Sequence, residues 1–137
     1  MKESQTTRLL PRLALAHLEL GAVDEAAACA ADAISRARDQ GARLLLVDAL
    51  RAQVAISLRR RRWDEAEQAA DEGLALARAM PYPYAEAHLL HANGSLLAEQ
   101  GQSGPGRERI EAALAIFQRL GAWKDVERLE REIAALS

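Results

Sequence analysis

The chain repeats itself every 40 residues, and that period constrains its fold more than any other property. Leu10, Leu50 and Leu90 fall in register, as do Ala26, Ala66 and Gly106. Ala33, Gly73 and Ala113 follow, and then Ile34, Leu74 and Leu114. A fixed period in the range of roughly 20–50 residues marks stacked units, each burying its apolar face against a neighbour. Composition says what the units are made of. Half of the 137 residues are apolar, yet only 4% are aromatic. Alanine and leucine dominate, with glutamate and arginine beside them, and all four are strong helix formers. The spacing predicts an all-α fold in a single domain of residues 1–137, long enough to bury a core.

Each repeat reads as two antiparallel helices. The first unit spans about residues 8–40, the second 42–81 and the third 84–120. Gly21 and Gly101 break the helices, and Pro81-Tyr82-Pro83 stops the second unit. Asp24–Glu25 and Asp64–Glu65 place negative charge at helix starts, where the dipole favours it. Pro11 would cost about 3 kcal/mol inside a helix, so the first helix is expected to begin late, at Leu10. Gly106, where alanine is expected, predicts a sixth helix that starts late or frays. A seventh helix over 122–136 carries Val126, Leu129, Ile133 and Leu136 on one stripe. Its charged residues, Asp125, Glu127, Arg128, Glu130, Arg131 and Glu132, fill the rest, as a capping helix requires. No equivalent cap precedes the first unit, which predicts either a preceding segment or a partner chain there.

These residues resemble the tetratricopeptide repeat. The second unit carries Leu50, Val54, Trp63-Asp64-Glu65-Ala66, Gly73-Leu74 and Pro81. The first carries Leu10, Ala14, Gly21, Asp24-Glu25-Ala26 and Ala33-Ile34. The third carries Leu90, Gly94, Gly101, Ala113 and Leu114. The likeness covers about residues 8–136, with a period of 40 in place of 34. The stretches at 63–67 and 112–122 are similar to long-period repeats at the C-terminal end of large bacterial signalling ATPases, cyclase-linked regulators and transcription activators. The resemblance implies an αα-superhelix of three helix pairs plus a C-terminal cap. It also implies that the first helix of each pair lines a concave groove. Carried onto this chain, the groove positions are Arg8 and Leu15, then Asp48, Arg51, Ala55 and Arg59, then His88, His91, Ser95 and Glu99. Arg51 and His91, on adjacent repeats, are expected side by side. The set is mixed in charge and lacks a lysine and asparagine ladder that would clamp a C-terminal carboxylate.

Other motifs carry little chemistry. Gly101 to Glu108 imitates a phosphate-binding loop, but Arg107 replaces the lysine and Glu108 the hydroxyl, and no strand precedes it. His88 and His91 share a helix face but lack further metal ligands. Arg59-Arg60-Arg61-Arg62 is the one strong charge run, and it reads as a solvated helix end complementing the dipole. With a net charge of −2 and no basic stripe, nucleic acid is not expected as a partner. Cys29 among alanines reads as a packing residue. Trp63 and Trp123 are expected to pack on neighbouring helices. No nucleophile constellation or acid/base pair emerges, so no enzyme activity and no cofactor are expected. No apolar run suits a membrane and no secretory leader is legible, which predicts a cytoplasmic protein. The expected function is a non-catalytic module that binds a protein or peptide in a concave groove. The competing expectation is a homodimer scaffold formed through the first repeat.

Overall fold

The computed structural model describes residues 2–136, and the side chains of residues 7–136. Seven helices follow one another: α1 Lys2–Glu19, α2 Val23–Gln40, α3 Arg43–Arg59, α4 Trp63–Ala79, α5 Pro83–Glu99, α6 Ser103–Leu120 and α7 Trp123–Leu136. No strand occurs among the described residues. Among them, too, no helix is long and apolar enough to cross a membrane.

The joints repeat at half the period of the side chains. The N–H groups of Ala22, Ala42, Arg62, Tyr82, Gln102 and Ala122 donate to the carbonyls of His17, Ala37, Ser57, Ala77, Leu97 and Phe117, at 2.6–3.0 Å. Each bond closes the last turn of one helix and hands the chain to the next, in the manner of a Schellman cap. At four of these joints the residue before the donor is a glycine in left-handed backbone, at 21, 41, 101 and 121. Arg61 fills the same place with φ 59° and is the only described non-glycine residue with positive φ. Proline stands at the equivalent position 81.

Consecutive helices pack as antiparallel hairpins, and the odd-numbered helices α1, α3 and α5 also pack on one another. Among the described residues, no Cα of α2, α4 or α6 comes within 8 Å of a Cα in another of those three. A stack whose one layer is closer-set than the other must bend. The layer of α1, α3 and α5 therefore lies on the inner, concave side.

Pro11 lies inside α1, which starts well before Leu10. The helix tolerates it because Thr7, Leu10, Pro11 and Ala14 form one buried stripe at helical spacing. The ring is packed against the core, and that burial offsets a lost backbone bond. Thr7, whose carbonyl loses the Pro11 partner, is itself buried and accepts a bond from Arg36 at 3.2 Å. The expected late or frayed start of α6 is also corrected. The helix begins at Ser103 and Gly106 is buried within it. A Cβ on Gly106 would lie 2.7 Å from the Gly94 carbonyl oxygen, and one on Gly94 would lie 2.6 Å from that of Gly106. The two glycines let α5 and α6 cross in backbone contact, closer than the Ala14–Ala26 and Val54–Ala66 pairs allow in the other units.

The interior changes along the stack. Ala14, Ala26, Ala30, Ala52 and Ile56 form one small cluster, and Leu10, Ala33 and Ala49 another. A larger cluster runs from Ala37 through Val47, Leu50, Leu74, Leu89 and Ile110 to Phe117 and Leu129. Cys29 is half-buried against the alanine cluster.

Candidate functional site

A row of polar side chains crosses the concave layer from α1 to α7. It starts with Arg12 on α1 and passes to Asp48 and Arg51 on α3. Asp48 accepts a bond from the Tyr82 hydroxyl at 3.3 Å. Burial pushes the Asp48 carboxyl above the usual range, while the Tyr82 bond and the charges of Arg51 and Arg12 pull it down. Tyr82 is held above its ordinary value, first by burial and then by the charge of Asp48.

The row continues on α5. His88 sits edge-on to Tyr84 and Phe117, with ring centroids 4.6 and 5.0 Å away. Burial pushes His88 down to about 3, and the positive charges of Arg51 and Arg128 act the same way. The ring is therefore neutral near neutral pH. Its Nε2 lies 4.0 Å from Asp125 on α7, too far for a hydrogen bond. His91 Nε2 approaches Glu132 on α7 at 2.5 Å, off the hydrogen-bond line. Burial lowers His91 as well, against the attraction of Glu132. Asp125 also accepts from Arg128 at 2.7 Å and from Tyr84 at 3.4 Å. No Cα of α5 comes within 8 Å of one in α7. Long polar side chains thus span a seam that backbone packing leaves open.

Four of the residues expected in the groove, Asp48, Arg51, His88 and His91, share this row. Their pairing differs from expectation. Arg51 acts on His88, Asp48 and Tyr82, while His91 turns to Glu132. Arg8 is exposed beside Asp48 and lines the same cavity. Leu15 packs on the alanine cluster, and Arg59 donates to the Leu18 carbonyl at 3.2 Å. Ala55 and Ser95 are half-buried and Glu99 exposed, with nothing that ties them to the row.

Arg12, Tyr82, Tyr84, Asp125, Arg128 and Glu132 were not foreseen there. Tyr82 sits in a turn, and Asp125 and Glu132 belong to the charged set expected on the outer face of α7. They point back to α5 instead, while Leu136 of the apolar stripe is exposed. Spacing offers one clue: Asp125 and Glu132 are seven apart, on one face of the helix.

The arginine run is engaged locally. Arg60 pairs with Asp24 at 2.6 Å, Arg62 with Glu65 at 3.8 Å, and Arg61 lies over Trp63 at 5.7 Å. Trp63 is half-buried, but Trp123 is exposed, against expectation. The glycine-rich stretch at 101–106 is a joint plus the first turn of α6, and its last glycine is sealed against Gly94. Among the described residues, no three His, Cys, Asp or Glu side chains converge as ligands of a cation.

Two hollows flank the inner layer. One, of about 700 Å³, lies between α1 and the start of α3. The other, of about 580 Å³, opens between α2 and α4 over Leu50 and Gln53 of α3. Arg38 closes on Glu72 across this second hollow through two bonds, at 2.8 and 2.9 Å. The chain matches no protein-family model and no curated protein.

Proposed function

We propose that the chain is a tetratricopeptide-like interaction module that holds a peptide or helix of a partner protein on its concave layer. One observation carries the reading: the polar row is open over α1 and α3 but covered by α7 over α5. In that part, Asp125 and Glu132 of α7 reach Tyr84, His88 and His91 with their charged side chains. The open part presents equivalent positions to whatever approaches. The module acts by binding and carries out no chemistry. Its likeness to long-period repeats suits a place in a cytoplasmic bacterial signalling or transcriptional regulator.

The test is capture of partners by the full chain, followed by calorimetry on the identified one. Arg12→Ala and Arg51→Ala should each weaken binding about tenfold, the size expected when a charged contact is lost. Arg38→Ala, on the opposite layer, should leave it unchanged. Equal affinity for all three variants would refute the groove.

Self-association is the second reading. Leu9 and Leu13 of α1 are 51% and 44% exposed, whereas Ala49 and Leu89, the equivalents of Leu9, are fully buried. A second copy seated on α1 would double the mass as concentration rises, a change that light scattering detects.

A further inference from the structure

We propose that the hollow between α1 and the start of α3 docks a partner segment that carries acidic side chains beside large apolar ones. The inference rests on the concave layer being the binding surface, and it adds the chemistry of what binds there.

The hollow has apolar walls in Leu9, Leu44 and Leu45, and the first two are 51% and 55% exposed. Exposed leucines that flank a cavity favour an apolar side chain that would remove them from water. Arg8 and Arg12 stand on the same wall, one helical turn apart. Two like charges at that spacing repel each other until an anion joins them. Among the described residues neither makes an ion pair, whereas Arg36, Arg38, Arg60, Arg62, Arg78, Arg107 and Arg128 each have a carboxylate partner. Among the described residues Asp48 is the only carboxylate lining the hollow, and burial disfavours its charged form. The local balance is therefore positive in a chain whose overall charge is −2.

The start of α3 adds to this. Ala42 and Leu44 line the hollow, the helix has no side-chain cap, and its first turn contains no acid. Its leading N–H groups carry the positive end of the dipole. Guanidinium forks suit carboxylates in paired hydrogen bonds. The leucines argue against a nucleic-acid backbone, which asks for cations and stacking rings. An acidic, apolar protein segment satisfies both halves of the hollow.

The experiment uses the full chain and three fluorescent peptides, read by anisotropy and by amide shifts. The first is an amphipathic helix of leucine and glutamate; in the others glutamine or lysine replaces the glutamate. The glutamate peptide should bind at least about tenfold more tightly than the glutamine peptide and lose affinity as salt rises. Its shifts should centre on α1 and the start of α3. The double variant Arg8→Glu with Arg12→Glu should reject the glutamate peptide and accept the lysine one. Both positions are on the surface, and unchanged circular dichroism will show that the variant folds. Equal binding of glutamate and glutamine peptides at the concave layer would overturn the acidic preference and leave the groove reading standing. Shifts confined to α2 and α4, or no binding by any peptide, would overturn both. A chain that dimerises through Leu9 and Leu13, and does not release its second copy to the glutamate peptide, would also overturn the inference.

Discussion

The first and third helix pairs share a backbone plan but solve packing differently. Around α1 and α2 the interior is alanine, so the helices meet through methyl groups and the larger leucines are left outside. Around α5 and α6 the crossing is glycine on glycine with Ile110 beside it, and Phe117 fills the interior toward the other end of α6. Phe117 occupies the position of Ala37 and Ala77 in the other units. It supports the His88 and Tyr84 rings from below and gives α7 something to seat on. The polar row follows suit. At the C-terminal end His88 and His91 are half-buried beside the acids of α7, and at the N-terminal end Arg12 is exposed. Occupancy, more than residue type, separates the two ends.

The largest effect should come from making the third unit resemble the first. Phe117→Ala should cost about 3–5 kcal/mol, because it removes a buried aromatic ring from beneath two others. Urea unfolding should show the loss, with α7 amides exchanging before those of α1. An unchanged midpoint would mean that Phe117 does not anchor the C-terminal end.

Acid should separate the ends next. The folded His88 binds its proton only near pH 3, whereas an unfolded histidine binds it near 6.5. The folded state thus holds fewer protons, so stability is complete above about 6.5 and falls as pH drops toward 3. At pH 5 the cost should be about 2 kcal/mol, and His91 adds to it in the same direction. Asp48, raised by burial, works the opposite way, but only near the carboxylate range. His88→Gln should flatten the slope of thermal midpoint against pH between 5 and 7. A slope that survives His88→Gln with His91→Gln would place the acid sensitivity elsewhere.

The smallest effect lies at the joint between α3 and α4. Arg61 holds a left-handed backbone where four other joints have glycine. Arg61→Gly should stabilise by about 0.5–1 kcal/mol, the strain relieved being partly offset by a freer unfolded chain and by the lost contact with Trp63. A destabilised variant would show that the stacking on Trp63 outweighs the strain.

The fold was legible because helical periodicity and the 40-residue repeat depend on the same apolar positions. The start of α1 was missed because Pro11 reads as a breaker, and its compensation by burial depends on neighbours distant in sequence. Gly106 was misread for a related reason: a helix with glycine looks weak alone and is tight only when another glycine faces it. The candidate site was half legible. Asp48, Arg51, His88 and His91 follow the repeat. Tyr82, Asp125 and Glu132 do not, because their equivalents one period earlier, Ala42, Ala85 and Ala92, carry no polar side chain to mark the direction.

The 20-residue spacing of the joints bears on how the chain reaches this state at all. Every helix packs only on the next one or the next but one, so no contact requires closure of a loop longer than two helices. Such local topologies fold quickly, and nucleation can begin at any hairpin and spread along the stack. On the ribosome, each helix can settle as soon as its follower emerges. The seam between α5 and α7 closes last, after everything beneath it is already in place.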